Sequence, residues 1–350
     1  MYNGTKVLDV HGHVSAPAQA RGWVVGMLSS NSPSRSPIRY GGGPGGNSMA
    51  SRNPGANPFS DEAFAATAKN HLDYMHERNI DVQIIGPRPF TMLGWMEDHL
   101  FPHWCEFTND TIYKQSQAFP NAFPGASMLP QRSEYPDTSN CIPELEKCVK
   151  DYGFIATYVS PDPGGQRTTP GMHELDYWGP LYAKCQELNV PIIIHGTNSL
   201  DRRFRVAPQN YQLGFLTETY IATQCLTHGD VFERYPELKV VLCHCGGALN
   251  RFIPTDRHLA QKDLSKNLFY DTCGYDVNFL EAAIKQRGVE QMCFGTEAPG
   301  SGGAVRPETG KTSDDLVPII SAYPFLSEED KIKIFNTNPA KVFPSMATLG

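Results

Sequence analysis

The sequence predicts an α/β fold, a TIM-like (β/α)8 barrel with a Gly/Pro-rich insertion after the first strand. Three observations lead there. Short apolar runs alternate with helix-length amphipathic stretches, giving eight strand-then-helix units in chain order. Several runs, such as Pro191-Ile192-Ile193-Ile194 and Val240-Val241-Leu242, are apolar at every position, as in parallel strands covered on both faces. Polar, metal-competent side chains stand where these runs stop, the end of a barrel strand where active sites are built. No G-x-G-x-x-G follows a strand and no G-x-x-x-x-G-K-[ST] occurs, which leaves a dinucleotide or phosphate loop unsupported.

The first run, Val7-Leu8-Asp9-Val10, ends in His11-Gly12-His13. Side chains two apart on a strand share a face, so this pair can meet one metal ion. From Trp23 to Pro58 the chain is rich in Gly, Pro, Ser and Asn and supports neither helix nor strand. Because it leaves beside His13, the insertion at 29–58 is expected to be a lid rather than a linker. Ser60-Asp61-Glu62 then supplies an N-cap and an acidic first turn for a helix to Asn79. Val82-Gln83-Ile84-Ile85 is a strand, and a helix over 99–118 leads to a short strand near Phe123–Ala126. A helix over 138–151 precedes the strand Ile155–Val159, and one over 174–189 precedes Val190–His195. A long helix through the 220s leads to Leu238–His244, and a helix over 249–263 to Leu268–Asp271. The last unit is a helix over 276–287 and the run Gln291–Glu297, followed by a helical segment from Ser327 to Phe343. Residues 1–350 are therefore expected to form one barrel domain.

The formal net charge of −7, with no basic stripe, argues against nucleic acid or an anionic membrane surface as partner. No apolar run approaches the ~20 residues of a membrane span, and no signal peptide is visible. Nine scattered cysteines, none in a C-x-x-C pair, suit reduced core thiols in a cytoplasmic protein. Cys243 and Cys245 flank His244 and are read as packing thiols.

His11 and His13, His195, His244 and Glu297 close four different runs and would converge on one barrel mouth. Three neutral imidazoles and a carboxylate suit one divalent ion, Zn2+ first, although such ligands also accept Mn2+ or Fe2+. The other histidines, His71, His76, His99, His103, His173, His228 and His258, fall on helices or loops, and most are expected at the surface or at helix caps; the role of His258, after Arg257, is left open.

Asp9-Val10-His11-Gly12-His13, Ile194-His195-Gly196, His244-Cys245-Gly246-Gly247 and Phe294-Gly295-Thr296-Glu297 resemble the motifs of the amidohydrolase superfamily. Within it they are similar to the branch of the aminocarboxymuconate-semialdehyde decarboxylases. Gly125–Gln131, Cys141–Cys148, Ser160–Gly165, Asp271-Thr272-Cys273 and Arg306–Gly310 resemble the 4-oxalomesaconate hydratases of that branch more closely. The resemblance implies an amidohydrolase-type barrel with His11, His13 and His195 as metal ligands and His244 as acid/base. It implies Glu297 as ligand, proton carrier or both, where the wider superfamily has Asp. The implied reaction is hydration of a carbon–carbon double bond in an unsaturated oxo-carboxylate from aromatic-acid ring cleavage, with Glu297 and His244 as base and acid.

The substrate is expected to be a small anionic carboxylate. Arg202, Arg203 and Arg205 lie in the turn after the fifth strand, Arg88 ends the second, and Arg251 follows His244. Guanidinium groups take carboxylates in a bidentate fashion. Arg88, Arg251, Asn198 and Tyr158 are the substrate-binding candidates, Arg88 foremost. Competing readings are a metal-dependent decarboxylase of an aromatic or dienoic acid and a related hydrolase. The hydrolase lacks the second-metal lysine after the fourth strand, where Tyr158 and Val159 stand. The resemblance further implies a homo-oligomer, a dimer or higher.

Overall fold

A computed structural model describes residues 1–17, 20, 57, 59–92, 94–197, 199–201, 203, 210–251, 253–256 and 262–349. The glycine-rich insertion, Asn57 apart, lies outside them, as does the lid expected there.

Eight parallel strands follow one another in chain order: β1 Leu8–His13, β2 Val82–Gly86, β3 Ala126–Ser127, β4 Ala156–Val159, β5 Ile192–Ile194, β6 Val240–Leu242, β7 Leu268–Asp271 and β8 Met292–Cys293. β1 pairs with β2, and β3 to β8 form a second run. Backbone hydrogen bonds join these at both seams. Ile85 N–H donates to the Pro124 carbonyl at 3.0 Å beside a parallel bridge to Gly125, and Val10 N–H donates to the Phe294 carbonyl at 2.9 Å. The ring is thereby complete.

The strands are buried on both faces, and alternation sorts their side chains. Ile192, Ile194, Val240, Leu242, Leu268, Tyr270 and Met292 pack outward against the helices. Ile193, Val241, Phe269 and Cys293 pack inward with Leu8, Val10 and Tyr158. Phe343 and Met346, from the C-terminal segment, join this inner group. Lys6, just ahead of β1, donates to the Leu349 carbonyl at 2.6 Å, so that segment covers the end of the barrel opposite His11 and His13.

The expected helices appear as Asp61–His76, Phe101–Ala118, Ile142–Lys150, Leu175–Glu187, Asn210–His228 and Val277–Arg287. Ser60 caps the first through its hydroxyl, which accepts from Ala63 N–H at 3.2 Å. The expected helix over 249–263 is a correction. Among its described residues only a 3-10 turn, Ile253–Thr255, forms. Gln286 explains part of this: its amide oxygen accepts from Asn250 N–H at 2.8 Å and its NH2 donates to the Asn250 carbonyl at 2.9 Å. Those backbone groups, with Pro254 following, are taken up outside any helical ladder. The expected helix over 327–343 is also broken, by a π-helical turn at Lys333–Thr337. There the Ile334 carbonyl accepts from Phe294 N–H at 2.9 Å, tying the turn to the end of β8.

All nine cysteines are free thiols and all but Cys225 are buried. Among the described residues, no helix is long and apolar enough to cross a membrane.

Candidate active site

β1 is not a plain strand. Its register against β2 slips between Asp9 and Gly12, a bulge that falls at Val10 and His11. The bulge re-aims His11, so that its Nε2 lies 3.3 Å from Nε2 of His13. His195 directly follows β5. His244 and Glu297 were expected at strand ends, yet β6 stops at Leu242 and β8 at Cys293. Both occupy turns with left-handed backbone, φ +54° for His244 and +59° for Glu297, which for a residue with a side chain costs about 1–2 kcal/mol. The turns carry both side chains back across the barrel mouth.

His11, His13, His195 and Glu297 each offer a ligand atom, and these atoms lie within 4.8 Å of one another. All four are buried. The rings of His11, His13 and His195 sit 5.0–5.3 Å apart, and His244 lies 4.7 Å from His195 and 5.1 Å from His11.

The tautomers follow from what each Nδ1 touches. His11 Nδ1–H donates to Asp271 Oδ2 at 2.6 Å, His13 Nδ1–H to the Pro87 carbonyl at 2.9 Å, and His195 Nδ1–H to the Gly196 carbonyl at 2.7 Å. Each neutral ring then turns an Nε2 lone pair inward. Burial, and then the neighbouring imidazoles, hold His11 and His195 well below the usual histidine range; burial likewise lowers His13. Lone pairs facing each other at 3.3 Å repel unless a cation lies between them. The donor set therefore fits a divalent ion, with outer partners that orient every imidazole.

Glu297 completes the set. Its Oε1 stands 3.4 Å from His13 Nε2, while Oε2 accepts from the hydroxyls of Ser301 at 2.7 Å and Tyr275 at 3.3 Å. Burial opposes its ionisation; charge on the surrounding histidines, His13 first, would draw the carboxyl well below its usual range, and a cation held among neutral rings would do the same. Asp271, at the end of β7, also accepts from the backbone N–H groups of Cys245 and Cys273 at 3.0 Å each. Burial pushes its carboxyl up to about 6, so at neutral pH it still serves His11 as an acceptor.

The substrate-binding candidates are scattered. Arg88, half-buried beside His13, donates to the carbonyls of Val14 at 3.2 Å and Pro299 at 3.3 Å. Tyr158 was expected to offer its hydroxyl to a substrate; instead it is fully buried beneath the histidines and donates to the Gly12 carbonyl at 3.0 Å. Arg251 is exposed in the segment after His244, and Asn198 lies outside the described residues. Arg202 and Arg205 also lie outside them, while exposed Arg203 is ion-paired with Asp201.

Four side chains that touch the site or lie buried behind it escape a reading by residue type: Asp271, Tyr275, Ser301 and His71. Asp271 ends an apolar strand just as His195 does, so its position was a visible signal. Ser301, in a Gly-Ser-Gly-Gly turn, gave none. His71, expected at the surface or a cap, is buried between Gln83 and Gln115. His258 lies outside the described residues.

Burial lowers His71 to about 4. The unfolded chain, with an ordinary histidine there, takes up a proton near pH 6.5, whereas the folded chain resists until about pH 4. The stability His71 contributes is thus complete above pH 6.5 and is lost as pH falls toward 4, by at most about 3 kcal/mol. Denaturant melts of the wild type and His71→Gln at a series of pH values in that interval should show the shallower fall in the variant. Parallel curves would contradict the burial of a neutral ring.

A ring of eight parallel strands with histidines and a carboxylate gathered at its C-terminal mouth defines a metal-dependent barrel enzyme. The amidohydrolase family profile matches residues 8–345, and the chain belongs to that family. It is 32% identical over 301 residues, 82% of this chain and 86% of the relative, to the 2-keto-4-carboxy-3-hexenedioate hydratase of Sphingobium sp. (strain NBRC 103272 / SYK-6). The crystal structure of 4-oxalomesaconate hydratase from Rhodopseudomonas palustris superposes with a TM-score of 0.78 at 30% identity, covering 98% of this chain and 97% of that one. The dihydroxybenzoic acid decarboxylase of Polaromonas sp. JS666, solved with bound manganese, shares the fold at a TM-score of 0.66 and 19% identity, over 97% of each chain.

Proposed function

We propose that this enzyme is a divalent-metal-dependent hydro-lyase that adds water across a carbon–carbon double bond of an unsaturated oxo-carboxylate, the kind of compound that aromatic-ring cleavage yields. The observation that carries this reading is that a carboxylate, Glu297, and a fourth imidazole, His244, both border the cluster of His11, His13 and His195. The similarity to a hydratase over most of the chain supports it. Zn2+ is the proposed metal, since three imidazoles and one carboxylate suit it. Held by His11, His13, His195 and Glu297, a divalent ion would polarise a substrate oxygen and stabilise the negative charge that builds there.

The protein's own residues supply the proton traffic. Glu297, oriented by Ser301 and Tyr275, removes a proton from water as the water oxygen bonds to one carbon of the double bond. The electron pair of that bond shifts into the conjugated carbonyl. His244 then delivers a proton to the neighbouring carbon, so that H and OH are added in sum and solvent exchange restores both groups. Arg88, beside His13, is assigned to a substrate carboxylate, and Arg251 and Asn198 to its outer part. Tyr158 forms the floor.

The test is a panel of unsaturated oxo-dicarboxylates incubated with metal-loaded protein in isotopically labelled water. The expected product carries one labelled hydroxyl, with no gas released. Carbon dioxide release instead would replace this reading with the decarboxylase one, which the fold likeness to a dihydroxybenzoic acid decarboxylase keeps as the second candidate.

A further inference from the structure

Glu297 holds a backbone conformation that side chains disfavour, and its neighbours on both sides are fastened to the barrel interior. Its own N–H donates to the His11 carbonyl at 2.8 Å. On one side, Thr296 donates to Asp9 through its N–H at 3.2 Å and its hydroxyl at 2.5 Å. On the other, the Ala298 carbonyl accepts from Gln83 Nε2 at 2.8 Å. That same Nε2 donates to Asp9 Oδ2 at 2.8 Å. One amide group thus joins the two ends of the turn that presents the carboxylate.

The orientation of that amide is fixed from outside the site. With both Nε2 protons engaged, Gln83 Oε1 must accept, and it does so from His71 Nε2 at 2.8 Å. His71 Nδ1 then accepts from Gln115 Nε2 at 2.9 Å, and Gln115 Oε1 accepts from Ser15 N–H at 2.8 Å. Each hydrogen bond in this chain pairs a donor with an acceptor, and all four interior side chains are buried. Flipping the Gln83 amide would set its oxygen against the Asp9 carboxylate and the Ala298 carbonyl. Gly12 makes room for the link: a Cβ there would stand 2.4 Å from Gln83 Cδ.

We propose that Gln83 and His71 are positioning residues for Glu297, the first by bridging Asp9 to the Ala298 carbonyl and the second by fixing which way the Gln83 amide points. His71 touches no ligand of the candidate metal site; it acts through Gln83, to which its Nε2 donates, and through its own contact with the Ala298 backbone. The kinetic part of the proposal rests on the hydro-lyase reading; the geometric part does not.

The test uses full-length, Zn2+-loaded wild type, His71→Leu and His71→Gln. It measures kcat and KM on the unsaturated oxo-dicarboxylates, metal stoichiometry, and hydrogen–deuterium exchange of the peptide carrying residues 294–301. His71→Leu is expected to lower kcat at least ~10-fold, with KM and metal content within about twofold of wild type, and to speed exchange at 296–298. His71→Gln keeps a donor for Gln83 and is expected to restore both the exchange protection and most of kcat. Unchanged exchange and kcat in His71→Leu would overturn the proposal. So would equal failure of both variants in step with lost thermal stability, because that pattern is packing alone. If the wild type hydrates none of the panel, the reaction assignment fails while the exchange data still decide the positioning role.

Discussion

Glu297→Gln is expected to lower kcat by about 10²–10⁴-fold, the loss typical when a group that moves a proton in the transition state is disabled. The substitution keeps the side chain's length and most of its packing. What it removes is charge and basicity at a point where both carboxylate oxygens are in use: Oε1 faces His13, while Oε2 accepts from Ser301 and Tyr275. An amide has one oxygen to offer. If that oxygen turns toward the histidines, the NH2 meets Ser301 and Tyr275; if it turns away, NH2 faces the imidazole lone pairs and opposes a cation there. Steady-state kinetics should be run with metal content measured on the same sample. A fall in kcat at full metal occupancy isolates the proton-transfer role, and a fall that follows metal loss isolates the ligand role. Full activity in a metal-replete variant would remove Glu297 from the chemistry.

Asp271→Asn should weaken metal affinity by about 10–100-fold, the usual effect of losing an outer partner of a ligating histidine. The geometry leaves asparagine no good option. Oδ1 of Asp271 takes two backbone N–H groups, from Cys245 and Cys273, and Oδ2 takes His11 Nδ1–H. An asparagine must turn its NH2 toward one of those sets. Facing the backbone it would oppose two donors. Facing His11 it would drive that ring to the other tautomer, placing a proton on the Nε2 that should hold the metal. Competition against a chelator of known affinity reads the change directly, and affinity equal to wild type would show that Asp271 does not govern the His11 tautomer.

The barrel was legible because buried parallel strands leave an unmistakable mark: Ile192-Ile193-Ile194 and Val240-Val241-Leu242 can hardly be anything else between helical stretches. The histidines were legible for the same reason, since His195 interrupts an apolar run where its strand ends. What could not be read are features fixed by contacts distant in sequence. The bulge in β1 arises from register against β2, and the left-handed turns at His244 and Glu297 arise where the strands stop early. His71 looked like any helical histidine, because its partners Gln83 and Gln115 become neighbours only after folding. Among the described residues of 249–263 the expected helix is missing for a related reason: a glutamine on the helix Val277–Arg287 takes the backbone groups of Asn250 that a local ladder would have used.

Two of the proposed ligands stand on the first strand of the barrel and the fourth comes just after the last, next to the seam where Val10 meets Phe294. Until the chain has been made through β8 and wrapped round, those atoms share no space, and a shorter nascent chain has no high-affinity site to fill. Because an ion that binds only the finished ring favours it by mass action, capture of a metal at the proposed site would work as a clasp between the two ends of the fold. Scarcity of the ion would therefore weaken the protein first at that join, rather than among the strands on the far side.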